Sequence, residues 1–168
     1  GDPAMKLTIQ GEASQEALGG KLAPLLRPPL IVYLEGDLGT GKTTLTRGIL
    51  RGLGHLGAVR SPTYTLLEPY DLGSLRLYHL DLYRLGDPEE LEYLGLRDLL
   101  DRDSVLFVEW PQRGGGALPP PDLEIRLDYR GPGRALDLMP RSPAGAELLK
   151  ALAAAPGLAD EALTLTAD

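Results

Sequence analysis

Two kinds of hydrophobic pattern alternate along the chain. Continuous apolar runs of strand length occupy 30–34 and 104–108, and such runs are typical of strands buried on both faces of a parallel sheet. Shortly after the first run, Leu45, Ile49 and Leu53 recur at helical spacing and predict a helix that begins at Thr43. The pattern therefore indicates an α/β protein in which helices cover a largely parallel sheet.

Alternating and turn-bounded segments predict the remaining elements. The predicted strands are 7–10, an antiparallel hairpin formed by 64–70 and 75–83, and a strand pair formed by 123–127 and 135–139. The predicted helices are 14–26, 87–95, 96–100 and 142–154. Antiparallel strands are thus expected to extend the parallel part of the sheet.

Length and composition favour a single globular domain. The chain has 168 residues, of which 43% are hydrophobic and 24% charged, and these values are ordinary for a folded domain. We expect the domain to span 5–154. Residues 1–4 precede Met5 and are expected to be the remnant of an expression tag, and 155–168 are expected to form a flexible tail.

Charge and cysteine content exclude several classes of function. Cysteine is absent, which rules out disulfides and thiolate metal sites. The formal net charge of −7 argues against a protein that grips nucleic acid through its overall field. No apolar run approaches the roughly 20 residues needed to cross a bilayer, and no signal peptide is recognisable, so a cytoplasmic protein that does not enter a membrane is expected.

One segment carries a strong chemical signal. Residues 36–43 read GDLGTGKT, which is the phosphate-binding loop pattern G-x-x-x-x-G-K-[ST]. Gly36, Gly39 and Gly41 permit backbone angles that side chains forbid, so that successive N–H groups can face one concave pocket. The helix that follows adds the partial positive charge of its N-terminus. We therefore predict a nucleotide-binding site in this loop.

The last residues of the loop have distinct predicted roles. Lys42 is expected to reach the β- and γ-phosphates of ATP, and the Thr43 hydroxyl is expected to bind Mg²⁺. The residues predicted to contact the nucleotide are Asp37, Leu38, Gly39, Thr40, Gly41, Lys42, Thr43 and Thr44.

Two carboxylates at strand ends are candidates for hydrolysis chemistry. Glu109 follows the buried run 105–108, where the acidic residue of a P-loop enzyme lies and coordinates Mg²⁺ directly or through water. Asp81 interrupts the apolar residues of 77–83 and is a candidate for positioning the attacking water or supporting the metal. Alternatively, Asp81 faces outward and pairs with Arg84 or another basic side chain.

A third segment of interest lies between the P-loop helix and the next strand. Thr63 and Thr65 belong to the run SPTYT, at the position where switch segments of P-loop hydrolases contact γ-phosphate and Mg²⁺. Alternatively, Pro62 only stiffens the entrance to a strand. Trp110 is a candidate contact for the nucleotide or a partner, although a packing role is the simpler alternative. His79 receives no predicted role.

Three classes of P-loop protein remain to be distinguished. A GTPase normally reads guanine with an Asn-Lys-x-Asp segment, and this chain contains no asparagine, which argues against ordinary GTPase specificity. A stand-alone small-molecule kinase stays open because of the size of the chain. A non-catalytic nucleotide-binding module also stays open, but the two acids at strand ends argue against it.

The ordered motifs resemble the TsaE (YjeE) family of bacterial P-loop ATPases. The matching segments, in order, are GDLGTGKTTLTRG at 36–48, SPTYTL at 61–66, YHLDLYRL at 78–85, DPEELE at 87–92 and VEWP at 108–111. The resemblance extends from about Leu7 to Leu152. Leu80 stands where the family commonly has Phe, and Thr40 where it commonly has Ala.

The resemblance implies a specific fold and function. The implied fold is the P-loop NTPase fold, three layers α/β/α with a mainly parallel sheet extended by antiparallel strands. The implied activity is Mg²⁺-dependent ATP hydrolysis that supports the TsaB–TsaD complex in forming N6-threonylcarbamoyladenosine at position 37 of tRNAs that read codons starting with A. The ATPase is then expected to be weak alone and to meet tRNA only through its partners.

Site roles follow from the same resemblance. Lys42, Asp81 and Glu109 would be required for hydrolysis, and Thr43 and Glu109 would serve the metal. Residues 63–65 would form the switch-like segment.

Overall fold

The fold is built around one mixed sheet. The structure is a computed structural model that describes residues 4–62 and 64–156, and the backbone of 164–167. The strands are β1 (Met5–Ile9), β2 (Leu30–Glu35), β3 (Leu67–Asp71), β4 (Arg76–Asp81), β5 (Ser104–Glu109), β6 (Leu123–Arg130), β7 (Gly133–Pro140) and β8 (Thr164–Ala167). The helices are α1 (Glu12–Leu22), α2 (Lys42–Gly52), α3 (Glu90–Tyr93), α4 (Leu96–Leu99) and α5 (Pro143–Ala153), with short 3₁₀ turns at Ala23–Leu25, Pro111–Arg113 and Gly115–Ala117.

The order of the strands confirms the predicted fold class. Across the sheet the order is β3-β4-β5-β2-β6-β7-β1-β8. The inner strands β4, β5, β2 and β6 run parallel to one another. The hairpin strand β3 on one side, and β7, β1 and β8 on the other, are joined to this centre by antiparallel pairing. The sheet is therefore mainly parallel at the centre and extended by antiparallel strands.

Side chains of β5 contribute to two separate hydrophobic clusters, one on each face of the sheet. In β5, Val105 and Phe107 belong to the cluster that α1, α2 and α5 cover. Leu106 and Val108 belong to a second cluster on the other face of the sheet, beneath the short helices α3 and α4. Because successive side chains of a strand point to opposite faces, a continuous apolar run is what a sheet covered on both sides requires.

The ends of several elements differ from their predicted positions. Helix α1 begins at Glu12, preceded by Gly11 at a φ of 83°, and not at Ser14. It gives way to a 3₁₀ turn after Leu22, where Pro24 lacks an amide hydrogen for helical bonding. Strand β3 begins only at Leu67, because Leu66 adopts a left-handed φ of 66°.

The C-terminal segment contains a strand that the hydrophobic pattern does not reveal. Part of the predicted flexible tail, 157–163 and 168, lies outside the described residues, as do 1–3 and Thr63. Thr164–Ala167 forms β8, which pairs antiparallel with β1. Within the part of the chain that the structure describes, no helix has the length and apolar character that crossing a membrane demands.

Close packing of α1 on α2 holds the helix that follows the glycine-rich loop. A Cβ atom at Gly19 of α1 would lie 2.5 Å from the Leu45 carbonyl oxygen and 2.7 Å from the Ile49 nitrogen. At the next residue, Gly20, a Cβ atom would meet nothing within 4 Å. The two helices therefore approach backbone to backbone along one face of α1 only.

This asymmetry predicts opposite effects for two neighbouring substitutions. Gly19→Ala should lower the free energy of unfolding by about 1–3 kcal/mol, because the methyl group overpacks the interface. Gly20→Ala should raise it by about 0.5–1 kcal/mol, because alanine loses less backbone entropy in a helix. Urea denaturation of both variants measures the difference, and equal effects would contradict the proposed close contact.

Candidate active site

The glycine-rich loop connects the end of β2 to the start of α2. Gly36, Gly39 and Gly41 have φ angles of 151°, 84° and 104°, all in the region that side chains disfavour. A Cβ atom at Gly36 would lie 2.6 Å from the Leu127 carbonyl oxygen. The predicted requirement for glycine thus has two sources, the backbone conformation and the close approach of neighbouring elements.

Side chains from three other elements hold the loop from outside. Tyr129 of β6 donates to the Leu38 carbonyl at 2.8 Å, and Gln15 of α1 donates to the Thr40 carbonyl at 2.8 Å. Arg134 of β7 donates to the same Thr40 carbonyl at 3.2 Å. These bonds occupy carbonyl groups of the loop. Apart from that of Thr40, which donates to the Asp37 carbonyl at 3.3 Å, the N–H groups of the loop are left for an anion.

Lys42 lies between the loop and the carboxylates. Its Nζ donates to the Gly36 carbonyl at 2.5 Å and lies 3.7 Å from Oε1 of Glu109. The ammonium group is also 4.3 Å from the centroid of the Trp110 ring. Burial lowers the pKa of Lys42, and the negative charges of Glu109, Asp81 and Asp37 oppose that shift.

The two predicted acids meet because β4 and β5 are parallel neighbours. Asp81 pairs directly with Glu109 across the two strands, so both carboxylates reach the same edge of the sheet. Both are buried, with exposed fractions of 7% and 3%. The alternative of an outward-facing Asp81 paired with Arg84 is wrong, since Arg84 instead lies over the ring of Tyr64.

The ionised form of Asp81 is destabilised by its surroundings. Burial raises the pKa of this carboxyl, and the negative charge of Glu109 raises it further. A hydrogen bond from the Tyr83 amide to Oδ1 of Asp81, at 3.0 Å, opposes the shift, as does the positive charge of Lys42. The carboxylate therefore sits in a position that favours the approach of a cation.

His79 is a residue of the site that its local sequence does not reveal. Its side chain is fully buried, and its Nε2 lies 2.6 Å from Oε2 of Glu109. The only available signal is its spacing, two residues before Asp81 on the same strand, which places the two on one face of the sheet.

Trp110 lies within the site and follows Glu109 directly. Its backbone is left-handed, with a φ of 55°, and its ring packs against that of Tyr83 at a centroid distance of 5.0 Å. Together with the contact to Lys42, this packing makes Trp110 one wall of the space above the loop.

The switch-like segment is only partly described. Thr63 lies outside the described residues, and the hydroxyl of Thr65 is exposed and donates to Glu68 at 3.2 Å. The segment is nevertheless tied to the acids, because the Asp81 amide donates to the Leu66 carbonyl at 3.0 Å.

The donor set suits a hard divalent cation. The hydroxyl of Thr43 and the carboxylates of Glu109 and Asp81 supply oxygen only, the ligand type that Mg²⁺ prefers. No group of three or more His, Cys, Asp or Glu side chains that could hold a metal ion occurs among the residues described. One hydroxyl and two carboxylates fit Mg²⁺, which is usually bound through one or two carboxylates together with phosphates and waters.

A cavity of about 370 Å³ opens beside the loop. Gly39, Gly41 and Thr44 form one wall, and Glu12 and Arg134 contribute to the others. Its position at the start of α2 is adjacent to the anion-binding N–H groups, so one ligand can occupy both. Glu12, Gln15, Tyr129 and Arg134 escape sequence-based detection because no local motif marks them.

Comparison with known proteins agrees with this geometry. Residues 9–136 match the family described as "Threonylcarbamoyl adenosine biosynthesis protein TsaE". A protein of Haemophilus influenzae named "tRNA threonylcarbamoyladenosine biosynthesis protein TsaE" is 45% identical over 148 residues, which cover 85% of this chain and 94% of that protein. A Bacillus subtilis protein of the same name is 40% identical over 124 residues, which cover 74% of this chain and 77% of the relative.

A solved structure shows the same fold. The crystal structure of YdiB from Bacillus subtilis superposes with a TM-score of 0.78 at 30% sequence identity, and the match covers 90% of this chain and 95% of that one. With the glycine-rich loop, the lysine and the paired carboxylates in one site, the chain belongs to the TsaE family of tRNA threonylcarbamoyladenosine biosynthesis.

Proposed function

We propose that this protein is a Mg²⁺-dependent ATPase that supports a TsaB–TsaD complex in forming N6-threonylcarbamoyladenosine at position 37 of tRNA. The observation that carries the ATPase activity is the meeting of Lys42 with the buried Glu109 beside the glycine-rich loop. A lysine at a P-loop and an acid at the end of a neighbouring strand are the two parts that phosphoryl transfer from ATP needs.

The phosphates are bound by the loop and by the start of α2. N–H groups of the loop and of the first turn of α2 would face the β-phosphate, apart from that of Thr40, which donates to the Asp37 carbonyl at 3.3 Å. The partial positive charge of the α2 N-terminus adds to the attraction. Lys42 exchanges the Gly36 carbonyl, to which it now donates, for the β- and γ-phosphate oxygens. The nucleoside occupies the cavity bounded by Thr44, Glu12 and Arg134.

The carboxylates serve the metal and the water. Thr43 and Glu109 would hold Mg²⁺, which when bound neutralises negative charge on the β- and γ-phosphate oxygens. Asp81 accepts a hydrogen bond from the attacking water and orients it toward the γ-phosphate. Burial of Asp81 keeps its charge poorly screened and therefore effective at short range.

The role in the tRNA pathway rests on the names of the relatives and on the exposed side chains near the site. The relatives from Haemophilus influenzae and Bacillus subtilis are named for tRNA threonylcarbamoyladenosine biosynthesis. Tyr64 follows the switch-like Thr63 and has 84% of its side chain exposed, stacked under Arg84. A partner that contacts Tyr64 would order the switch-like segment, and turnover would then depend on that partner.

A small-molecule kinase is the less favoured alternative. After α2 the chain forms the β3–β4 hairpin, whereas kinases of this size commonly insert a helical substrate-binding segment. ATP turnover without any added phosphate acceptor would separate the two functions.

Within the active site, the first prediction concerns Lys42. Lys42→Ala should reduce ATP turnover by at least about 100-fold, because the variant loses the positive charge that stabilises the transferring phosphoryl group. Turnover should be measured with Mg²⁺, alone and with TsaB and TsaD, and the partners should stimulate the wild-type protein but not Lys42→Ala. Lys150→Ala, at an exposed lysine of α5, is the matched control and should behave like the wild type. Unchanged turnover in Lys42→Ala would refute the assignment of the site.

The second prediction separates function from stability at Asp81. Asp81→Asn should abolish most turnover yet raise the midpoint of thermal unfolding at pH 7, by about 2–4 °C for each kcal/mol gained. The amide keeps an acceptor for the Tyr83 N–H but carries no buried charge.

The stability gained by Asp81→Asn should depend on pH. Because the folded pKa of Asp81 is raised above its ordinary value of 3.8, the wild type loses stability as pH rises from 3.8 through that higher pKa. The advantage of the variant should therefore vanish below about pH 3.8 and be full at neutral pH. Asp128→Asn, at an exposed position of β6, should show no such gain, and an equal gain would contradict the electrostatic cause.

A further inference from the structure

His79 has an unusual environment for a histidine. It lies in the interior of β4 with none of its side chain exposed, and its strand neighbour on β5 is Phe107. Its Nε2 is 2.6 Å from Oε2 of Glu109, and its Nδ1 is a buried atom for which the described residues provide no hydrogen-bond partner.

The contact defines the direction of the hydrogen bond. A carboxylate only accepts hydrogen bonds, so the Nε2 of His79 carries the hydrogen and donates it to Glu109. In neutral imidazole the Nδ1 is then an acceptor without a partner. Burial of an unpaired polar atom costs stability, and an apolar side chain at this position would avoid that cost, so packing alone does not account for the imidazole.

The bond leaves the two oxygens of Glu109 in different surroundings. Oε2 is held by His79, whereas Oε1 faces Lys42 at 3.7 Å. Without the histidine the carboxylate is free to rotate and to approach the ammonium group more closely. A tighter Lys42–Glu109 pair would neutralise both groups that the nucleotide and its cation need.

We propose that His79 is a positioning residue, which fixes the Glu109 carboxylate through an Nε2–H···Oε2 hydrogen bond and thereby keeps Oε1 available for Mg²⁺. The inference rests on the proposed function, in which Glu109 serves the metal. It assigns to His79 an effect on the Mg²⁺ dependence of ATP binding and not on the binding of the phosphates themselves. Partners that orient metal ligands commonly change metal affinity by 10–100-fold.

The hydrogen bond can be tested without nucleotide or metal. The chain contains two histidines, so a long-range ¹H–¹⁵N spectrum of the full-length protein shows two imidazole rings, and the His55→Gln variant identifies the signals of His79. We expect the ring hydrogen of His79 on Nε2 and slow exchange of that hydrogen with water. A ring hydrogen on Nδ1 alone, or rapid exchange, would overturn the proposal.

Three substitutions test the effect on the metal. Calorimetric titration with ATP is repeated at a series of MgCl₂ concentrations, beginning with none. The quantity compared is the Mg²⁺ concentration that gives half of the full gain in ATP affinity. His79→Leu should raise that concentration by at least about 10-fold. Its affinity for ATP without Mg²⁺ should stay within about 3-fold of that of the wild type. His79→Gln should stay close to the wild type, because its amide nitrogen corresponds to Nε2. His55→Gln is the matched control and should change neither value.

The outcomes separate this inference from the proposed function. Equal Mg²⁺ dependence in His79→Leu and the wild type, or equal defects in the Leu and Gln variants, would overturn the positioning role. If His79→Leu does not fold, His79→Asn replaces it, since its shorter amide cannot reach Glu109 and should show the same 10-fold effect. A wild-type protein that binds ATP with no Mg²⁺ dependence would contradict the proposed function. If the wild type does depend on Mg²⁺ but His79→Leu shows the same dependence, only this inference is contradicted.

Discussion

The parallel pairing of β2, β5 and β4 is the constraint on which the site depends. Leu34 of β2 lies opposite Glu109 of β5, and Glu109 lies opposite Asp81 of β4. Since parallel strands end at the same edge of the sheet, the glycine-rich loop that leaves β2 and the two carboxylates are brought together by backbone register alone. The distance of 3.7 Å between Lys42 and Glu109 is a consequence of this register.

The site contains ionisable groups whose charged forms are destabilised by burial. Burial lowers the pKa of Lys42 and raises that of Asp81, so each group is less stable in its charged form than it would be in water. In the proposed function, a bound nucleotide with its cation would supply the missing opposite charges. The same desolvation that costs stability without ligand strengthens the electrostatic interactions available to a phosphate and a divalent ion. Perturbed groups of this kind in one place are typical of functional sites.

Rigid support from remote elements distinguishes this loop from a mobile glycine-rich segment. Tyr129, Gln15 and Arg134 bind three successive carbonyl groups, those of residues 38–40. An anion-binding loop whose N–H groups are already oriented loses less conformational entropy when the ligand binds. The antiparallel extension of the sheet, which supplies Tyr129 and Arg134, therefore contributes directly to the site.

The sequence predicts those features that are written in local patterns. The strand–loop–helix signal locates the glycine-rich loop, and apolar runs that end in an acid identify Glu109. The pairs that Gln15, Tyr129 and Arg134 form with the loop are separated by 25 to 95 residues, and no periodicity encodes such contacts. No local pattern assigns a role to His79, because its partner lies 30 residues away on another strand. The early start of α1 is not predictable from periodicity, because it depends on the unusual backbone of Gly11.

The central claim, that the loop and Lys42 form a phosphate site, is tested most directly by calorimetric titration of the purified protein with ADP and with AMP in the presence of Mg²⁺. In the proposed function, Lys42 and the loop bind the β-phosphate, which AMP lacks. We expect ADP to bind at least about 100-fold more tightly than AMP, a difference of about 2.7 kcal/mol. Equal affinities for the two nucleotides, or no binding of ADP, would contradict the assignment of the site.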